Sequence, residues 1–230
     1  MSTSGTTNFS PSLGEITLYA FNLCGIRSTA ILQEHMESAR MATNMLLGRW
    51  SSQGVNLWAV DLETVPLVQG VSTYDVPANT ITMLDTYVEI PNGSGAPIDR
   101  IILPVSRTEY ASYPNKQQQG FPTTYWFDRL LSPTVTLWPV PDGQQSALKY
   151  YRVRQIQDGV FQGAAQVEIP YYFLEAFSLG LGQRLAIIWA PDRAAGLKAM
   201  ADESYEIAVE QNIEQAAVYI SPMLSGYYRV

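Results

Sequence analysis

Positions 1–10 are small and polar with no periodicity, and regular patterning starts only after them. Ser12-Leu13-Gly14-Glu15 has the S-x-x-E form in which serine and glutamate satisfy each other's orphan backbone donors. Ile16, Tyr19, Ala20 and Leu23 follow at helical spacing, and Gly25 is a natural stop, so a short first helix is predicted. Beyond Ser28, the positions Leu32, Met36, Ala39, Thr43, Leu46, Leu47 and Trp50 step by three and four until Gly54, which predicts a long second helix. The connection from Gly25 to Ser28 is short enough to fold the two into a hairpin with their apolar faces in contact.

From Gly54 to about Gln166 the period changes. Prolines and glycines separate short runs rich in Val, Ile, Thr, Tyr and Trp, which predicts strands at 56–64, 73–76, 80–90, 98–105, 124–128, 134–139 and 147–156. Turns fall at Pro91-Asn92-Gly93 and Pro141-Asp142-Gly143. The stretch from Arg107 to Gln119 leaves the sheet as a short helix or mobile loop, and its Tyr110, Tyr113, Lys116 and Gln118 form a candidate contact loop.

Helical spacing returns with Pro170 as a first helical residue and Phe173, Phe177, Leu181, Leu185 and Ile188 on one side. Ala176, Gly180 and Gly182 allow another helix to approach closely. Pro191 breaks this helix, and Asp192 is a candidate cap for the next. That helix carries Leu197, Met200, Ala201, Ser204, Ala208 and Gln211 along one face and is expected to run to about Tyr219. The fold class is therefore α+β, with the N- and C-terminal helices forming one bundle around an inserted β-rich domain. The expected organisation is a flexible arm at 1–10, a helical hairpin at 11–53, the β-rich insertion at 54–168, a second hairpin at 169–219 packing on the first, and a C-terminal arm at 220–230.

Hydrophobic residues make up 47% of the 230, enough to fill such a core, while only 15% are charged, against about 25% on an ordinary chain. A surface so poor in charge points to a partner. Fourteen basic against 21 acidic residues give a net charge of -7, the wrong sign for gripping a phosphate backbone. Cys24 stands alone, so no disulfide within the chain is possible. The N-terminal segment has neither a basic n-region nor an apolar h-region, and no apolar run is long enough to span a bilayer, so no secretion signal or membrane partner is expected.

Candidate chemistry is sparse. His35, the sole histidine, is expected to face solvent or cap its helix, and Cys24 to be a small core residue. No phosphate-binding glycine loop, dinucleotide fingerprint or nucleophile elbow occurs, and no catalytic, cofactor or metal site is assigned. Glu168 and Glu175, among Tyr171, Tyr172 and Trp189, leave open a hydrolase that works by a carboxylate pair, which needs no motif. Trp126, Trp138, Tyr125, Tyr150 and Tyr151 form either a sugar-stacking face or sheet core. In the last helix, Asp202, Glu206, Glu210 and Glu214 recur every four residues beside Glu203, with no Lys or Arg between Lys198 and Arg229. Like charges at this spacing weaken an isolated helix, so the face is either solvated, lines a channel, or meets arginines of another subunit.

A series of short motifs occurs in order: Trp50-Ser51-Ser52-Gln53-Gly54-Val55-Asn56-Leu57-Trp58, then Gly120-Phe121-Pro122-Thr123-Thr124-Tyr125-Trp126, Leu137-Trp138-Pro139-Val140-Pro141-Asp142 and Ile169-Pro170. From about residue 11 to 217 the chain resembles head-to-tail adaptor proteins of tailed bacteriophages, also called tail accessory or head completion proteins, of the short-tailed phage type. The resemblance implies a dodecameric ring in the virion neck, assembled in the host cytoplasm, that docks under the portal protein. It also implies that the ring extends the DNA channel without binding DNA specifically and offers a platform to a tail nozzle or hub protein. It makes Tyr110, Tyr113, Lys116 and Gln118 a candidate tail-facing loop. Pro222, Met223, Leu224, Tyr227, Tyr228 and Arg229 become a candidate portal interface by their position in the C-terminal arm. The resemblance supplies no catalytic residue. A cell-wall or polysaccharide hydrolase and a carbohydrate-binding virion module stand as the alternatives.

Overall fold

The computed structural model describes residues 5–7, 9–54, 57–93, 95–161 and 164–212. Helix α1 spans Leu13–Leu23 and opens on the predicted reciprocal cap. The Glu15 N–H donates to Ser12 Oγ at 3.3 Å, and the Ser12 N–H donates to the Glu15 carboxylate at 2.8 Å. Those bonds to Ser12 hold the Glu15 carboxyl below its usual range. Gly25, at φ 82°, ends the helix in the left-handed region open to glycine.

Helix α2, Gln33–Gln53, starts later than the apolar pattern suggested, because Ser28–Ala30 form a 3-10 turn first. Leu32 precedes the helix and is exposed. In place of a Ser or Asp cap, His35 Nδ1 accepts the Leu32 N–H at 3.2 Å. His35 thus caps its helix, but it does not face solvent. Its ring is buried, stacked on Trp189 at 4.1 Å and edge-on to Phe21 at 5.6 Å. As an acceptor at Nδ1, the imidazole carries its proton on Nε2.

The first two helices meet at Phe21 and His35 and also share a support. Helix α4, Leu174–Trp189, runs through the bundle, and α1, α2 and α5, Pro191–Gln211, all pack on it. Its small residues permit this: a Cβ on Gly182 would lie 3.3 Å from Leu23, and one on Gly180 would lie 3.2 Å from Leu46. Leu13, Phe21, Leu47, Phe173, Phe177, Leu181 and Leu185 are the large side chains at the centre of this core.

Several local expectations change. Pro170 precedes a 3-10 turn at Tyr171–Phe173, and α4 begins only at Leu174. Pro191 is the first residue of α5, and Asp192 sits in its first turn without capping it. Ile188 and Met200, placed on packed faces by periodicity, are 55% and 52% exposed. The predicted extension of the last helix through 213–219 lies outside the described residues.

Between α2 and α4 the chain forms strands β1 Val60–Pro66, β2 Thr73–Asp75, β3 Thr80–Ile90, β4 Ile98–Pro104, β5 Gln119–Gly120, β6 Thr124–Asp128, β7 Thr134–Trp138, β8 Val140–Pro141 and β9 Ala147–Arg154. Seven of them make one sheet in the order β1-β9-β3-β4-β6-β7-β2. Neighbours are antiparallel except at the short parallel β4–β6 junction, where Leu103 faces Thr124 and Pro104 faces Tyr125. The strand expected at 56–64 is displaced, since Leu57–Ala59 form a 3-10 turn. Strands β5 and β8, two residues each, are too short to leave a period in the sequence. Val88, Ile102, Tyr125, Val135, Leu137, Leu148 and Tyr150 fill a second core under this sheet. Burial and the nearby Glu63 push the Tyr150 phenol up to about 12. The structure is therefore α+β, with terminal helices in one bundle and a β-rich domain inserted between them.

The insertion is tied back at its exit. Arg154, the last residue of β9, pairs with both oxygens of Glu168, and its Nε reaches Asp61 of β1 at 2.9 Å. The Trp58 indole N–H donates to the Glu168 carbonyl at 3.0 Å. The chain then crosses the helices: Ile156 N–H donates to Ser51 Oγ at 3.1 Å and Gly159 N–H to Asn44 Oδ1 at 2.8 Å. At Gly159 the backbone comes so close that an added Cβ would lie 2.6 Å from Thr43 Cγ2 and 3.1 Å from Leu13 Cδ2. Gly159→Ala is expected to lose about 1–3 kcal/mol of stability through overpacking, measurable by urea denaturation. Wild-type stability in that variant would show the strap to be loosely held.

Candidate functional site

Helix α3, Arg107–Ser112, lies against the sheet through aromatic stacking. Ser106 caps it by accepting the Glu109 N–H at 3.1 Å. Tyr110 stacks on Trp126 at 5.4 Å, and Tyr113 stacks on Trp138 at 4.1 Å. The Trp138 indole N–H donates to Asn115 O at 3.0 Å, and Lys116 Nζ donates to the carbonyls of Ala111 and Tyr113. Gln118 contributes its carbonyl to Val140 N–H at 2.9 Å. The candidate contact loop is thus a fixed clasp, with Lys116 and Gln118 at its exposed edge. Burial raises the Tyr110 phenol above its ordinary value.

This arrangement divides the aromatic set. Tyr125 and Tyr150 are sheet core, while Trp126 and Trp138 each have one ring face stacked on a tyrosine. Of the five, Tyr151 is the exposed one, at 40%.

On α5, Asp202, Glu203, Glu206 and Glu210 are all exposed, as the spacing required. Glu214, and the candidate portal residues Pro222, Met223, Leu224, Tyr227, Tyr228 and Arg229, lie outside the described residues. Asp202 lines a small cleft of about 40 Å³ with Arg49 of α2 and Arg184 of α4. Burial and the neighbouring Arg49 lower the pKa of Arg184 from its ordinary value. Neither arginine is among the ion pairs formed by the described residues.

Sequence periodicity missed a group of exposed apolar residues. Met41 and Met45 of α2 and Ile187 and Ile188 of α4, each half or more exposed, line an open groove of about 740 Å³. Glu37, Arg40 and Arg184 stand around it. Leu130 and Leu131, at 61% and 99% exposure, project from the turn between β6 and β7. On β4, Ile98, Ile101 and Leu103 are also exposed. A signal for one of these sites was present in the sequence: Leu130-Leu131 occupies a turn where polar residues are the rule.

The carboxylate proposed for hydrolysis has another role. Arg154 holds Glu168 below the usual carboxylate range, and the Gln157 N–H also donates to it at 3.0 Å. A general acid needs the opposite shift. Glu175 is exposed in the first turn of α4, where an acid favours the helix dipole. Cys24 is buried, its Sγ donating to Gly182 O at 3.3 Å, and burial raises its thiol above the ordinary value, so it is a packed thiol with little nucleophilic thiolate. Among the described residues, no group of three or more His, Cys, Asp or Glu is placed to hold a metal ion, and no helix is long and apolar enough to cross a membrane.

No curated protein matches the chain. The model of one family, described as SU10 adaptor protein, matches residues 31–215, from the approach to α2 through the whole insertion and α5. Helix α1 lies outside that match, although the resemblance read from the motifs began near residue 11. With most of its length matched, the chain belongs to the SU10 adaptor protein family and is a bacteriophage adaptor, a structural component of the virion.

Proposed function

We propose that this adaptor is one subunit of a dodecameric ring in the neck of a short-tailed virion, between the portal protein and the tail nozzle or hub. The observation that carries this reading is the division of exposed apolar surface between two lobes. One part is the Met41–Met45–Ile187–Ile188 groove on the helical bundle, and the other is the Leu130–Leu131 tip on the inserted sheet. A subunit that must meet like copies and also a second component needs two such places. The bundle builds the ring, and the insertion, with Leu130, Leu131, Lys116 and Gln118 at its edge, faces the tail. The arm at 220–230, with Pro222, Met223, Leu224, Tyr227, Tyr228 and Arg229, reaches the portal. A net charge of -7 suits a passage that lets duplex DNA slide without gripping it.

The test mixes the full chain with the portal protein encoded by the same phage and measures particle mass. A defined complex holding many copies is expected. A mixture of separate components at every concentration tried would refute the ring. In the same assay, Leu130→Ser/Leu131→Ser is expected to leave portal binding intact while virions carrying it lose tail attachment. Loss of portal binding instead would reverse the proposed orientation.

A further inference from the structure

We propose that adjacent copies of this chain join head to tail, with the outer stripe of α5 from one copy lying in the α2/α4 groove of the next. This inference rests on the ring reading and names its seam. The α5 stripe is Met200, Glu203, Ile207 and Glu210, spaced by three, four and three residues, so the four side chains stand in one row on the helix. All four are exposed, the two apolar members at 52% and 53%. Met200 and Ile207 are two turns apart, about 10 Å along the axis.

The groove has the complementary chemistry. Its floor is Met41, Met45, Ile187 and Ile188, and methionine adapts readily to the shape of an incoming helix. Arg40 and Arg184 flank it, against the single acid Glu37, and Arg49 lies one turn beyond Met45 on α2. Among the described residues Arg49 and Arg184 form no ion pair, although Asp202 of their own α5 lines the cleft beside them, and along α5 itself no basic residue follows Lys198. Two incomplete charge sets of opposite sign, each interleaved with exposed apolar side chains, fit each other better than either fits water. Because stripe and groove are different surfaces of one chain, the contact is heterologous, the kind from which a ring is built when its rotation closes. The α5 acids are then used at the seam between copies and do not line the lumen.

Two variants test the seam: Arg40→Glu/Arg184→Glu in the groove and Glu203→Arg/Glu210→Arg on the stripe. Particle masses are measured for each full chain with the portal protein, with circular dichroism and melting temperature as controls on folding. Each variant alone is expected to need ~10-fold or more higher concentration to assemble. An equal mixture of the two should recover assembly as an alternating ring, since each reversed groove then meets a reversed stripe. A variant that misfolds cannot give that recovery, so rescue on mixing separates a lost contact from a lost fold. Assembly of both single variants at wild-type concentration, or folded variants whose mixture stays dissociated, would overturn the seam and leave the ring standing. A wild-type chain that forms no ring at all would take down both.

Discussion

Trp50→Ala is expected to remove about 3–5 kcal/mol of stability, enough to leave the helical bundle largely unfolded at physiological temperature. Trp50 is 4% exposed at the last turns of α2, and its ring meets three others: Phe173 at 5.3 Å, Phe177 at 5.9 Å and Tyr205 at 5.5 Å. Those partners come from the turn before α4, from α4 itself and from α5. One side chain therefore connects the N-terminal part of the bundle to everything after the insertion. Alanine would leave a cavity walled by aromatic rings that cannot collapse into it without moving α4. Trp50→Phe keeps most of the volume and should cost a fraction as much. Chemical denaturation of the two variants measures the difference, and equal losses would show that ring packing at this site is not what holds the bundle.

Arg154→Met is expected to cost about 2–3 kcal/mol at neutral pH, because it removes the cation but leaves Glu168 and Asp61 facing each other across a partly buried joint. The acid side of the stability profile should change with it. Arg154 lowers the folded pKa of Glu168 from its ordinary 4.5. A carboxylate with a depressed folded pKa contributes stability that is fully present above its unfolded value and is lost as pH falls through the folded one. Wild-type protein should therefore lose this contribution on acidification below about pH 4.5, and Glu168→Gln should flatten that part of the curve. Melting temperatures measured from pH 3 to 7 would test this, and an unchanged acid limb in Glu168→Gln would rule the pairing out as its source.

Much of the architecture was legible because it is periodic. The reciprocal cap at Ser12 and Glu15, the Leu46–Leu47–Trp50 spacing, the β-branched and aromatic runs of β3 and β9 between turn residues, and the return of helical spacing at Phe173 are local patterns with one physical meaning. What was not legible arises where distant segments meet. Nothing near His35 in the chain announces that Trp189 will cover it, and nothing near Glu168 names Arg154 as its partner. The short α1–α2 connection gave no hint that both helices would also lean on α4, whose glycines let them approach closely. Ile188 and Met200 were assigned to packed faces because periodicity fixes which residues share a side of a helix but not how wide a side the neighbours cover. The stretch after Arg107 leaves the sheet as a short helix, one of the two forms expected, but its tyrosines are stacked on Trp126 and Trp138.

Strands β1 and β9 pair antiparallel with Val60 opposite Val153, so the polypeptide leaves the bundle and comes back to it through a gap one strand spacing wide, about 4.8 Å. Departure and return side by side make the whole sheet a cassette. Its size, loops and tip can be exchanged, lengthened or pared back by recombination between those two strands without shifting a helix. In the proposed ring, changes confined to that cassette would alter the surface offered to the tail and leave the helical bundle as it is.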